Sequence, residues 1–453
     1  MLRKKFNNIK YNLKRYISFD SLRNRSSLKD VDDGIFNMLS LYKNNNNINL
    51  SVINNIIPLY LKECLINDIN KTIQCNKNVS EMIENRALNS FNLEKKYWGF
   101  LINSYSNCIN SHNDYFLLKL YNSLINNRNK IMHISFSLEK KNNKNKRNCL
   151  LDTVYNTIKI ENENNINYKQ IKDIYEIFRP DIIYIDETNN PYNFEYEFIK
   201  NLKDINNSIV IVNISNKANL ISQNLIPTPF EYSDIVFSFL NENFRAHNSY
   251  IVFYKKGFKY FNNEGKLISY DFEEKLKNIF SENNLNNIVF SLATSFKLMK
   301  NTEFKEYANQ VQKNASILFK YINKEYFNIH YSGNNSFLNL NPSNYSFNVQ
   351  EFYTLCTKLN IFFDVLSPTK CIQKSFNIGT SYLTSLGLLE KDMKIVADFI
   401  NQSISLYFHM KQKENLSNEK FIEYINNSTT SEILSLANDV FCFISSFPCM
   451  KSF

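Results

Sequence analysis

Residues 233–257 read SDIVFSFLNENFRAHNSYIVFYKKG. Two runs rich in β-branched and aromatic residues, 235–240 and 250–254, flank a polar segment, the pattern of two strands joined by a loop. The loop places an acid, Glu242, just past the end of the first strand, with Arg245 and His247 beside it. Glu242 and Arg245, three residues apart, can form an ion pair or take a catalytic role. No nucleophile or metal-ligand set joins them, so the ion pair is the expected reading. The other histidines, 112, 133, 330 and 409, have no carboxylate or cysteine at metal or triad spacing and are expected on the surface or in packing. The eight cysteines (64, 75, 108, 149, 356, 371, 442, 449) include no CxxC and no zinc spacing, and read as free thiols in a reducing compartment.

The elements that position this loop follow from periodicity. Helices are expected over 50–69, 79–91 and 114–125, a strand over 130–138, and a polar loop or insertion at KKNNKNKRN, 140–148. From residue 168 the pattern alternates: helix 168–178, strand 181–186 after Pro180, helix 194–203, strand 208–214, then strands 234–240 and 250–255. Short strands apolar on both faces, alternating with helices, imply a parallel sheet covered by helices. Helices over 286–300, 303–323 and 349–359, a small sheet, and a helical region from 388 complete an α/β layout with a smaller C-terminal domain. No internal repeat is apparent.

Composition narrows the class. With 453 residues, 43% hydrophobic and 15% aromatic, the chain can bury a large core. Only 7 glycines occur, while Asn, Lys, Ile, Phe and Tyr are abundant, as AT-rich codons favour. The formal charge of +10 is uneven: residues 1–30 hold nine Lys/Arg and two Asp, a net of +7, which leaves 10 − 7 = +3 for the rest. That distribution argues against a nucleic-acid partner. The excess lies in MLRKKFNNIKYNLKRYISFD, where Leu2, Phe6, Ile9, Leu13 and Tyr16 share one helical face and six basic residues precede Asp20. Basic, amphipathic and acid-poor, it reads as a mitochondrial-type presequence, which places the protein in the matrix. A basic surface helix is the plain alternative. No apolar run approaches the length of a membrane span.

Six stretches carry a resemblance. ENRALNSFNLEKKYWGFLINSYSN (84–107) is similar to the serine hydroxymethyltransferase pattern RALxAFxLDPxxWGVNVQPYSG, and FRPDIIYI (178–185) to FRPKLIIA. NLIPTPFEYSDIV (224–236) resembles xVIPSPFxHADIV, and YIVFYKKG (250–257) resembles GLIFYRKG. NIGTSYLTSLGLLEKD (377–392) is similar to RLGTPALTSRGxxExD, and the terminal SSFPCMKSF to AxFPMPGF. They occur in family order with near-family spacing from about residue 50 to the end. The chain is identified as a divergent member of that family, of mitochondrial type. The resemblance implies a type I pyridoxal-phosphate (PLP) transferase fold: a large domain with a mixed, mainly parallel sheet and a small C-terminal α/β domain. It also implies dimers whose active sites borrow residues from the partner. The expected partition is a presequence over 1–30, an N-terminal helical segment over 31–78, the large domain over 79–302 and the small domain over 303–453.

The same resemblance assigns site positions, and most depart from the family. The family's VTTTTHKTLRG aligns with VFSFLNENFRA, so the Schiff-base lysine falls on Glu242, its neighbouring His on Asn241, and the following Arg is kept as Arg245. Only an amine forms an imine with the cofactor aldehyde. The family's ADMAH reads VNISN here, so the acid that keeps the ring nitrogen protonated becomes Asn213 and the His becomes Asn216. The phosphate-binding SGS becomes Ser106-Asn107-Cys108, and the Gly-Gly-Pro loop lent by the partner becomes Glu282-Asn283-Asn284. Thr188 stands where the family has Ser near the phosphate. The Arg that clamps the substrate carboxylate becomes Asn377, and the SENF with the active-site Glu becomes Ile53-Asn54-Asn55-Ile56.

Three functions are compatible with this pattern. The first is a catalytically impaired pseudoenzyme of serine/glycine one-carbon metabolism, a homodimer or a heterodimer with an active relative, in which PLP is not bound covalently. The second is an active enzyme that interconverts serine and glycine with tetrahydrofolate and PLP. The third is an RNA-binding protein on the same fold, against which the removable N-terminal charge counts.

Overall fold

The computed structural model describes residues 29, 32–43, 47–66, 77–104, 112–136, 150–162, 166–240, 244–246, 248–261, 264–277, 286–343, 347–365, 375–414, 418–427 and 430–447. The chain divides into two units, 1–47 and 48–453. In the first, the helix Asp33–Lys43 is opened by Asp32, whose Oδ1 accepts the Ile35 N–H at 2.9 Å. The expected presequence lies outside the described residues but for Lys29.

The second unit begins with a short strand, β1 (Ile48–Asn49). Then come β2 (Trp98–Ser104), β3 (Lys130–Phe136), β4 (Asn156–Asn162), β5 (Ile182–Asp186), β6 (Ile209–Asn213), β7 (Ile235–Leu240) and β8 (Ser249–Lys255). β2 to β8 form one seven-stranded sheet in the order β2-β8-β7-β6-β5-β3-β4. The run from β7 to β4 is parallel, and β8 is antiparallel to both its neighbours. This is the mixed, mainly parallel α/β sheet expected from sequence. Side-chain alternation splits each strand between two cores. Ile183, Ile185, Val210, Val212, Val236 and Phe253 enter one, with the helices Lys77–Ser90, Tyr168–Phe178, Tyr196–Asn206 and Asn286–Leu298. Ile182, Tyr184, Ile211, Ile235, Phe237 and Val252 enter the other, under the helix His112–Leu124. Both faces are covered, which is why these strands read as unbroken apolar runs.

Local signals set the connections. The helix Tyr168–Phe178 opens on Asn167, whose side chain accepts the Gln170 N–H at 3.1 Å, and closes on Arg179 at φ 48°, just before Pro180. Pro180 cannot continue a helix, so the chain turns directly into β5.

A third core holds the C-terminal part. After the hairpin β9 (Phe258–Phe261) and β10 (Leu267–Ser269) come β11 (Phe327–His330), β12 (Phe337–Pro342), β13 (Ile361–Phe362), β14 (Asp364–Val365) and β15 (Phe376–Gly379). An antiparallel sheet β11-β12-β15-β14 packs with the helices Thr302–Tyr321, Val349–Lys358 and Glu390–Glu414. β1 pairs in parallel with β13, and the Gly379 N–H donates to the Leu50 carbonyl at 2.6 Å. A Cβ on Gly379 would lie 3.0 Å from Ser51 O and Val52 Cα, so the close approach requires glycine.

One expectation needs correction. The helix read over 50–69 is confined to Leu59–Ile66. Pro58 fits only the first turn of a helix, and ahead of it the chain is captured by β13 and by Asp364, which accepts from the Val52 N–H at 2.6 Å and Ser51 Oγ at 3.0 Å. Long-range pairing overrides the local apolar pattern.

Candidate functional site

The parallel register ends β5 and β6 at the same edge, with Asp186 opposite Asn213. In open α/β sheets that edge is where ligands bind. Asn213 is buried there, and its side chain is fully engaged. The amide donates to Thr188 Oγ1 at 2.9 Å and to Asp186 Oδ1 at 3.3 Å. The carbonyl accepts the Ser215 N–H at 3.1 Å and the Ser215 hydroxyl at 2.5 Å. Asn216 donates to the Thr188 carbonyl at 2.9 Å. Thr188, Asn213 and Asn216, picked out from sequence, therefore meet in one network.

Asn377 joins them from β15. Its amide donates to Asn189 Oδ1 at 3.2 Å, and its carbonyl accepts Asn339 Nδ2 at 2.8 Å. A row of neutral carboxamides thus runs through the position matching the family's guanidinium clamp. Arg245 sits elsewhere. Its neighbours Phe244 and Ala246 belong to the core on the sheet face opposite Tyr184. Its guanidinium donates to Ser385 Oγ at 3.0 Å and lies 4.5 Å from the Tyr307 ring centre. Asn55, beside the position of the family Glu, is tied to the same group: it accepts from Ser385 Oγ at 2.6 Å and donates to Tyr307 Oη at 2.9 Å. Ser106, Cys108, Asn241 and Glu242, with the segments at 140–148 and 282–284, lie outside the described residues, and so does the proposed Glu242–Arg245 ion pair.

Sequence reading missed a buried ion pair. Lys217 and Glu187, each about 1% exposed, are bonded to one another. Lys217 also donates to the Tyr192 carbonyl at 2.5 Å, and Asn190 donates to Glu187 Oε1 at 3.2 Å. Burial pulls the Lys217 ammonium below its ordinary value, and Glu187 opposes that shift. The available signal was a lysine directly after VNISN, ahead of the apolar residues Ala218, Leu220 and Ile221. The loop held by this pair reaches the C-terminal sheet. Tyr192 Oη bonds His330 Nδ1 at 2.8 Å, Ser332 N–H donates to the Pro191 carbonyl at 3.1 Å, and Asn193 donates to Asn334 Oδ1 at 3.0 Å.

A model of the serine hydroxymethyltransferase family matches residues 73–400. The chain belongs to the serine hydroxymethyltransferase family. It is 24% identical over 439 residues to the serine hydroxymethyltransferase of Plasmodium falciparum, covering 90% of this chain and 96% of that protein. It is 25% identical over 382 residues to the cytosolic serine hydroxymethyltransferase of Aspergillus fumigatus, 80% of each chain. It is 24% identical over 298 residues to the mitochondrial serine hydroxymethyltransferase of Candida glabrata, 62% of this chain and 61% of that one. Both mitochondrial and cytosolic proteins thus stand among its relatives.

Family membership implies PLP and tetrahydrofolate. Among the described residues, the ring-nitrogen position does not fit PLP. A pyridinium nitrogen is held by an anion, whereas Asn213 is neutral and its donors and acceptor are already engaged by protein groups. Among the described residues, no group of His, Cys, Asp and Glu could hold a metal, and no helix is long and apolar enough to cross a membrane. Cys64, Cys356 and Cys442 are free thiols, as expected.

Proposed function

We propose that this chain is a catalytically impaired serine hydroxymethyltransferase homologue that acts through contacts with an active member of the family. The observation that carries this reading is Asn213, a neutral side chain saturated by Thr188, Asp186 and Ser215 at the position of the ring-nitrogen acid. The alignment of Glu242 with the Schiff-base lysine and of Asn377 with the substrate clamp supports it. An ordinary enzyme needs an amine at the site. Lys217, one residue past Asn216, is ion-paired to Glu187 and bonded to the Tyr192 carbonyl.

The proposed organisation is a presequence at 1–30, an N-terminal segment at 31–78, a large domain at 79–302 and a small domain at 303–453. Assembly is as a homodimer, or as a heterodimer with the active relative in the mitochondrial matrix. A folate-dependent serine cleavage assay on the purified protein tests the catalytic part, and no turnover is expected. Co-expression with an active family member, followed by light scattering, tests the partner. A mixed dimer is expected; separate homodimers contradict the partner reading and leave the homodimer.

A further inference from the structure

We propose that the cavity at Arg245, away from the Thr188–Asn213–Asn216 network, is a binding site for a small monocarboxylate. The cavity is about 110 Å³, room for roughly four water-sized groups. Arg245 enters it from a left-handed backbone at φ 52°, an uncommon conformation for a non-glycine residue. Ser295 donates to the Arg245 carbonyl at 2.8 Å. Ser385 and the Tyr307 ring hold the guanidinium, and the Tyr60 hydroxyl in the cavity wall is bonded to it as well.

The Arg245 Nε–H is buried and, among the described residues, has no acceptor. No ion pair among the described residues includes Arg245. A cation that lines a cavity and keeps one buried donor unfilled is the half of a charge-assisted contact that an anion completes. Its planar fork favours a carboxylate. The remaining wall is selective. Phe244, Leu298 and Phe304 offer a short apolar tail a surface to cover. Glu303, exposed at the edge of the same cavity, repels a second negative charge. The fitting ligand is therefore a short-chain monocarboxylate rather than a dicarboxylate or a phosphate.

The test uses the full chain at constant ionic strength, with calorimetry and thermal shift as readouts. Propionate is expected to bind saturably, with Kd in about the millimolar range for a ligand of this size. Propionamide, the neutral isostere, is expected to bind at least ~10-fold more weakly. Leu298→Trp fills the cavity and leaves Arg245 in place, and is expected to abolish propionate binding. Arg245→Met is expected to do the same. Should Arg245→Met fail to fold, the amide comparison and Leu298→Trp decide. Succinate is expected to bind only after Glu303→Gln. Equal affinity for propionate and propionamide, no saturable propionate binding, or undiminished binding in Leu298→Trp overturns the proposal.

Discussion

Replacing Lys217 by Met leaves the Glu187 carboxylate about 1% exposed and without its cation. Asn190 remains as a donor, but a neutral amide does not offset a buried charge. Breaking one side of a buried pair costs about 3–5 kcal/mol. Removing both charges in Glu187→Leu/Lys217→Met restores an uncharged interior and is expected to lie within about 1–2 kcal/mol of wild type. For a chain of this size, 1 kcal/mol moves the midpoint by roughly 1–2 °C, extending the known size scaling, so the single variant should melt about 3–10 °C lower. The damage should also be local. Lys217 anchors the Tyr192 carbonyl, and the same loop bonds Ser332 and Asn334 in the connection between β11 and β12. Amide hydrogen exchange at Ser332 should therefore accelerate in Lys217→Met and recover in the double variant. A single variant that melts with wild type, or a double variant as unstable as the single, refutes the reasoning.

Two further outcomes are expected. Burial holds the imidazoles of His133 and His330 below their ordinary 6.5, so near and below that pH the unfolded chain binds protons that the folded chain refuses. Stability should fall as pH drops below about 6.5, by up to about 1.4 kcal/mol per pH unit for each imidazole, and His133→Phe should remove its share; denaturant melts between pH 5 and 7 measure this. Residues 1–30 fused to a fluorescent reporter should direct it to mitochondria, and a cytosolic reporter would count against the targeting reading.

The legible parts of the fold were those with short-range causes. The helix Tyr168–Phe178 emerges as read because an amphipathic period, an Asn cap and Pro180 all lie within it or beside it. β5, β6 and β7 were read within about a residue because both their faces are apolar. The segment before Pro58 departs from its local helical pattern because its partners, β13 and Asp364, lie about 310 residues away, and no local pattern encodes them. β4 follows a polar insertion and shows only a brief alternation at TIKI, which was too little to register.

The site divides in the same way. Thr188, Asn213 and Asn216 were found by alignment to family motifs, and the structure ties them together. Arg245 was found by the same route and faces another cavity, because a motif gives position along the chain and not the direction of a side chain. The Glu187–Lys217 pair joins two loops that follow different strands, so neither residue alone announced the other.

The most direct test of catalytic impairment is borohydride reduction of the purified wild-type protein with PLP, followed by mass spectrometry of the intact chain and its peptides. A cofactor held as an imine is fixed irreversibly to its lysine by this step, whatever its affinity. The account predicts no stoichiometric adduct in the wild type and no serine turnover after Glu242→Lys, since Asn213 and Asn377 remain neutral. A stoichiometric PLP adduct at one lysine of the wild-type chain, accompanied by folate-dependent conversion of serine to glycine, would contradict it.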